Sequence, residues 1–415
     1  MPRDVMDTFD AKKDSSFKIG VNSIVLCLIS MLFAVDVLGG PLRLYLSSIG
    51  FESIIYIPKV LCLSFIVYTI SRTRINKALF YCLFLIALYS IIAVIHKIEI
   101  FQILFTLIII LPLLFGIVSA PYLYGKQNIF VFMIAAMFIV TVSGVCINIF
   151  IDFPWQGLSY NMQGLEVEGT REWTTFGLKR VAGFTRLSAG AAFYIVTCAL
   201  FLISYSSSWS YRIIIILFGF PAVLATTNKA AIVGFVIGIG SLLLDRCPRM
   251  RSLLVYALAA TVMLLPLSTL ARNYDIDLRD PVGIFLLTSF EDRLIHTWPD
   301  FMGAVSTFAN PVTGVGFGAI GTASKYGFNA SHEVFTFADN FALYLYGCFG
   351  ILVVVLFYYL AHVTCLMFRS KVMFQLSLAP VMVAIFAISI TTDIIESQVL
   401  AFMMGIIVSS EVNTV

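Results

Sequence analysis

The chain has 415 residues, 60% of them hydrophobic and 12% charged, with a net charge of +3 from 26 basic and 23 acidic residues. Soluble domains carry about 25% charged residues, and no water-soluble interior is large enough to hide this much apolar side chain. Disorder, coiled coil, collagen and a secreted disulfide scaffold are excluded by the same figures, which leaves an integral membrane protein of many helices.

The N-terminal tail mixes Asp4, Asp7, Asp10 and Asp14 with Arg3, Lys12, Lys13 and Lys18. Such a mixture makes no polybasic arm, so no nucleic-acid partner is expected. The first apolar run is too long for the core of a signal peptide and reads as an uncleaved first helix. In windows of about 19 residues the runs fall at 18–38, 53–70, 78–95, 100–119, 129–150, 187–205, 212–226, 230–244, 252–270, 338–367, 373–390 and 396–410. The fold expected is an all-α polytopic membrane protein, one transmembrane domain over 1–415, with about 12 transmembrane helices (11–13). The seventh and eighth runs are short, parted only by Thr227, Asn228 and Lys229, and would make a hairpin that does not fully cross.

With the N-terminus inside, inner segments hold fourteen Lys and Arg, from Arg3 to Lys371, while the short outer turns hold only Arg43, Lys59, Lys97 and Lys229. This positive-inside bias puts both termini in the cytoplasm and two long loops outside, at about 151–186 and 271–338. The chemistry is therefore expected on the outer face. A nucleotide-driven motor is disfavoured, because no GxxxxGK[ST] occurs. Seven of the eight cysteines lie in apolar runs and Cys247 in a short basic loop, without a CxxC, so they read as small buried hydrophobes.

The second loop carries Phe290, Leu294, Trp298, Phe301, Val305 and Phe308 at helical spacing, an amphipathic stripe that would roof a cavity or simply cover apolar surface. Ser289 with Asp292 would cap its start, Pro299 would kink or divide it, and Asp292 and His296 share its polar face. Gly314, Gly316 and Gly318 form a GxGxG that no strand precedes, so it is either a loop approaching a ligand closely or a flexible turn. Asp339 and Asn340 stand at the outer mouth of a span, where Asp339 is an ordinary N-cap or a functional acid. Lys179-Arg180-Val-Ala-Gly183 and Arg186 lead into another span, where a guanidinium either docks a lipid pyrophosphate or reaches to head groups. Lys229, which the positive-inside rule leaves unexplained, is a second phosphate candidate. Asp275 and Asp277 spell a DxD without the α/β domain that motif needs, and Asp36 lies near the outer end of the first span. No HExxH or similar spacing suggests a metal.

Taken together, the many spans, two outer loops and a GxGxG ahead of an Asp339-Asn340...Gly347-x-x-Gly350 helix resemble the O-antigen polymerase and ligase superfamily. Arg180-x-x-Gly183 matches its basic Arg-x-x-Gly, Thr226-Thr-Asn-Lys229 stands where the family often shows Thr-x-Ser-Arg, and Arg272 with Gly283 fits a loose Arg-x10-Gly. Ligases carry a His-Asn pair where this chain has Asp339-Asn340, which favours polymerase, although His332 seven residues upstream is able to stand in. The resemblance implies a bacterial inner-membrane glycosyltransferase that uses undecaprenyl-pyrophosphate-linked oligosaccharide as donor and acceptor, with a chain-length regulator as a further partner. No cofactor or metal is implied, because the donor is already activated. Arg180, Arg186, Lys229, Arg272, Arg279 and Arg293 would neutralise the departing pyrophosphate, with Gly314, Gly316, Gly318 and Asn340 in substrate binding. Asp339, then Glu333 or His332, would act as general base, and Tyr274, Trp298 and Phe301 would either stack on sugars or, more simply, contact the membrane. The alternatives are an O-antigen ligase, an exopolysaccharide or capsule polymerase, and a lipid-linked oligosaccharide flippase. The last fits less well, since no repeat is visible and the charges sit at the surface.

Overall fold

In the computed structural model, which describes residues 15–73, 75–157, 159–162, 165–168, 174–175, 178–271, 274, 281–326 and 333–410, the apolar runs are helices. In chain order they are α1 (Ser15–Val37), α2 (Gly39–Ser48), α3 (Ile57–Arg72), α4 (Lys77–Ile95), α5 (Ile100–Leu123), α6 (Gln127–Phe150), α7 (Ser188–Tyr205) and α8 (Trp209–Ala225). There follow α9 (Lys229–Leu243), α10 (Pro248–Ala271), α11 (Pro281–Asp292), α12 (Trp298–Phe308), α13 (Phe341–Phe349), α14 (Leu352–Met367), α15 (Met373–Ser389) and α16 (Gln398–Ser410).

Six stretches are long and apolar enough to cross a bilayer, and four further apolar helices are shorter, which is the architecture of a multi-pass membrane protein. One of the six, Ile100–Phe150, has 51 residues and folds as α5 and α6 around a tight turn at Tyr124–Lys126. The outward faces are apolar: Val60, Leu63 and Val67 on α3, Phe80, Phe84 and Ile91 on α4, and Ile213 and Leu217 on α8 are all exposed. In water that surface would be a liability; in lipid it is the expected one.

Helices that are apolar all round belong in the centre. Accordingly α7 is buried from Ala191 to Ser204 and α15 almost throughout, and the two pack on each other and on α9. α16 lies along α5, where Gly116 and Gly405 stand back to back so closely that a Cβ on Gly405 would overlap the Leu113 carbonyl. Small residues are what allow such approach where no hydrophobic effect drives helices together.

Three features differ from the sequence expectation. The loop after α6 contains two short antiparallel hairpins, β1 (Ser159–Met162) with β2 (Leu165–Glu168) and β3 (Thr174–Thr175) with β4 (Leu178–Lys179), on an otherwise helical architecture. The amphipathic stripe belongs to a longer helical rod that starts at Pro281, two turns before the expected Ser289 cap, and it is parted by a π turn at Arg293–Thr297. Pro299 follows the π turn directly, and Ile295, whose carbonyl a helical proline leaves without its N–H partner, lies inside that turn, so the rod divides where the proline acts.

The third difference is the expected single span 338–367, which breaks at Gly350 (φ +59°). The 312–317 segment dips into the break: Ile351 N donates to Val312 O (3.2 Å), Val315 N to Gly347 O (2.7 Å) and Phe317 N to Tyr89 O (3.0 Å). Non-helical backbone is tolerated at such depth only when protein satisfies it, and here the loop and the broken helix satisfy each other.

At the end where α10 begins, Arg251 donates to Asp245 Oδ1 (2.8 Å) and to the Phe368 carbonyl (3.2 Å), and its guanidinium lies 4.4 Å from the Phe368 ring centre. Arg180, Lys229 and Arg293 lie at the opposite end.

Candidate functional site

Arg180 reaches this end from the segment between β4 and α7. Gly183, three residues on, is pinned to α6: its N–H donates to Asn148 Oδ1 (3.1 Å), its carbonyl accepts from Trp155 Nε1 (3.4 Å), and its φ is +61°. A Cβ there would come within 2.8 Å of the Gly144 backbone, so only glycine docks the turn this tightly. Lys179 next door is paired with Asp152 and donates to Gln156 (2.9 Å). Burial, and then the nearness of Arg293, pull the half-buried Arg180 guanidinium below its usual range.

Lys229 heads α9. Asn228 caps the helix, its Oδ1 accepting from Ala231 N (3.0 Å), and Thr226 Oγ1 donates to Val223 O (2.6 Å). Between them Thr227 has φ +54° and a buried hydroxyl with no hydrogen-bond partner among the described residues. A β-branched residue in the left-handed region is a true outlier, and such strain clusters at functional sites. Burial first, then Arg180 and Arg293, pull the Lys229 ammonium down, so three cations from distant segments share one neighbourhood.

Arg293, the third, opens the π turn. It donates to Ser289 O (2.7 Å) and pairs with Asp339 across 3.0 Å between Nη2 and Oδ2. Asp339 also has positive φ (+47°), which Asp tolerates better than most residues. It does not cap α13: Asn340 does, its Oδ1 accepting from Leu343 N (2.9 Å). The Asn340 amide nitrogen donates to Val262 O (3.1 Å) and Ile390 O (2.9 Å). Fully buried, Asn340 ties α13 to α10 and α15, and this takes the place of the substrate role expected for it.

Two carboxylates that sequence reasoning passed over complete the set. Asp393 and Glu396 lie in the short connection between α15 and α16. Glu396 accepts from Thr322 N (2.6 Å) and Thr322 Oγ1 (2.5 Å), while Gly321 (φ +82°) leaves room: a Cβ there would lie 2.5 Å from Glu396 Oε1 and 2.7 Å from the Tyr344 ring. Burial, then Glu396 and Asp339, push the Asp393 carboxyl well above the usual carboxylate range, with Arg293 acting in the other direction. Asp36 lies close by, beside Tyr194 and Gln398, within electrostatic reach of Lys59 and Arg43. Lys59 in turn feels Glu396, so the polar groups run continuously across this end.

The GxGxG is used differently from expectation. Gly314, Gly316 and Gly318 all have positive φ and are buried, and a Cβ on Gly316 would meet the Ala93 backbone at 2.5 Å. Gly314 approaches Gly347 and Gly350, and Gly318 approaches Ile103, so the close approaches are to other helices of this chain and not to a ligand. Trp298 and Phe301, expected to stack on sugars, are fully buried under the α11–α12 rod, and Tyr274 OH is bonded to Ser268 Oγ (2.7 Å). The backbone of Arg186 packs on Gly39 at the head of α2, at the Asp36–Arg43 corner. Arg272, Arg279, His332 and the DxD acids lie outside the described residues, as does the side chain of Glu333. Among the described residues no three His, Cys, Asp or Glu side chains are grouped to hold a metal ion.

An apolar cavity of about 650 Å³ lies alongside, between α4, α5, α13–α14 and α16. Tyr344 and Ile395 line its upper end, Lys77 its lower, with Leu85, Ile110 and Leu356 between.

Comparison with protein-family models, with curated proteins and with solved structures finds no match to this chain.

Proposed function

We propose that the chain is a bacterial O-antigen polymerase. It would join undecaprenyl-pyrophosphate-linked oligosaccharide units by metal-independent glycosyl transfer on the periplasmic face of the inner membrane, through about 12 spans with both termini in the cytoplasm. One observation carries the reading: Arg180, Lys229 and Arg293 come from three remote segments to one end of the bundle, where Arg293 pairs with Asp339. Three crowded cations repel one another and gain most from a multiply charged anion, and a departing pyrophosphate is one. An Arg also grips phosphate oxygens in pairs. The neighbouring carboxylates suit the second task, accepting the proton of a sugar hydroxyl. The adjoining cavity offers the polyprenyl chain an apolar bed that ends beside those charges.

The test is a gel of surface lipopolysaccharide from a strain lacking the chain, complemented with wild type or Arg180→Ala. The expected result is a collapse of the ladder to core bearing one repeat unit, reversed by wild type and not by the variant. Bare lipid A-core with long polymer on the lipid carrier would mark a ligase instead. An unchanged ladder removes the O-antigen reading and leaves another polysaccharide or a flippase.

A further inference from the structure

Asp339, Glu396 and Asp393 are not equivalent. Asp339 commits Oδ2 to Arg293 at 3.0 Å. Glu396 commits one oxygen to the Thr322 N–H and the other to its hydroxyl. Asp393 has no such engagement with another residue among those described. The amide of Asn340 fixes it near the other two, because it holds Ile390 O, three residues ahead of Asp393, against the residue next to Asp339.

A cluster of acids is often only a solvated surface. What distinguishes this one is Tyr344. Its side chain is 2% exposed, and its hydroxyl has no hydrogen-bond partner among the described residues. A buried phenol left unsatisfied costs about 1–3 kcal/mol, so a site that keeps one is built to be completed by something else. The edge of the ring meets Gly321 at the spot where Glu396 Oε1 also meets it, and Asp393 acts on the phenol electrostatically. The partner that fits between a phenol and a carboxyl is a neutral hydroxyl, which gives a hydrogen bond to one and accepts from the other.

We infer that Asp393 is the general base of the transfer and that Tyr344 holds the acceptor sugar hydroxyl for it, Asp339 serving to orient Arg293. The inference rests on the polymerase reading. In the step, the acceptor oxygen bonds to the donor's anomeric carbon while the bond from that carbon to the pyrophosphate oxygen breaks, its electron pair leaving with undecaprenyl pyrophosphate. The hydroxyl proton passes to Asp393 and from there to water. Arg180, Lys229 and Arg293 neutralise the leaving group. The charged and titratable groups acting on Asp393 are Glu396, Asp339 and Arg293, and Glu396 and then Asp393 act in turn on Tyr344. Burial first, and then the two acids, raise its proton affinity, and a carboxylate of raised proton affinity is a stronger base.

The experiment uses the purified full-length protein and lipid-linked repeat unit extracted from a host lacking it, with polymer length read on a gel across pH 4–9. Asp393→Asn is expected to lower kcat by about 10²–10⁴ while binding of undecaprenyl pyrophosphate and thermal unfolding stay near wild type. Tyr344→Phe is expected to raise the acceptor KM by about five- to tenfold, the worth of one hydrogen bond. Glu396→Gln keeps both Thr322 contacts, since Oε1 still accepts from the N–H and Nε2 donates to the hydroxyl. Removing its charge moves the acid limb of kcat to lower pH, a shift that a merely structural role would not produce. The inference falls if Asp393→Asn polymerises within about threefold of wild type, or if Glu396→Gln leaves the limb in place. If wild type itself makes no polymer, the polymerase reading falls and takes the inference with it.

Discussion

Each end of the bundle has an arginine paired with an aspartate, and the two pairs are built for different ends. Arg251 pairs with Asp245, gives a second hydrogen bond to the Phe368 carbonyl and lies on the Phe368 ring, with its side chain 9% exposed. Its hydrogen bonds go to one carboxylate and one backbone carbonyl. Arg293 pairs with Asp339 too, yet Arg180 and Lys229 crowd it, Asp393 and Glu396 stand near, and both Thr227 and Asp339 carry left-handed backbone. The first arrangement is complete without a ligand. In the second, charge is concentrated beyond what folding requires and strain is retained, which is what a site holding a charged substrate needs.

The contrast is sharpest at Asn340, which stands at the charged end yet is a structural residue. Asn340→Ala leaves the Leu343 N–H and the carbonyls of Val262 and Ile390 without their partner. The expected cost is about 2–5 kcal/mol, from several buried groups unsatisfied at once, read as a drop in the unfolding temperature in detergent. Affinity for undecaprenyl pyrophosphate, measured below that temperature, should stay within about twofold (under ~0.5 kcal/mol). A stable variant with lost affinity would return Asn340 to the ligand.

Why the sequence disclosed one end better than the other follows from the kind of interaction involved. Helices α4, α7 and α15 come from uninterrupted apolar runs, a local signal, and α4 begins at Lys77 where the run at 78–95 placed it. Arg180, Lys229 and Asp339 were legible because each is a charge at the mouth of a run, and Arg293 because it is a cation in a long loop. The break at Gly350 was not, because its cause is a loop 38 residues earlier whose carbonyl at Val312 accepts from Ile351. The GxGxG was misread for the same reason: glycine signals a close approach without saying to what. Asp393 and Glu396 sit in a connection of a few residues between two apolar runs, and attention to the long loops passed over them. Two acids in so short an outer turn were the available signal.

Truncating one arginine at each end sets the two pairs against each other. Arg251→Ala should destabilise by about 1–3 kcal/mol, since it removes packing on Phe368 and strands the buried Phe368 carbonyl, with polymerisation unchanged at temperatures where the variant is folded. Arg180→Ala should do the reverse, leaving unfolding within about 0.5 kcal/mol of wild type or slightly raised, because like charges are relieved, while pyrophosphate binding drops. Equal losses of stability in both would dissolve the distinction.

The smallest effect isolates strain from charge. At Thr227 a β-branched residue holds φ +54° with its hydroxyl buried and unsatisfied among the described residues. Glycine adopts that conformation freely and removes the stranded hydroxyl, at the cost of a more flexible unfolded chain. The first two gains outweigh the third, so Thr227→Gly should stabilise the protein by about 0.5–1 kcal/mol, seen as a small rise in unfolding temperature. If the strained turn serves to set Lys229, the same variant should lose polymerising activity several-fold while gaining stability. That opposite movement of the two readouts is the mark of strain kept for function, and a variant that gains both would show that the turn at Thr227 is incidental to the site.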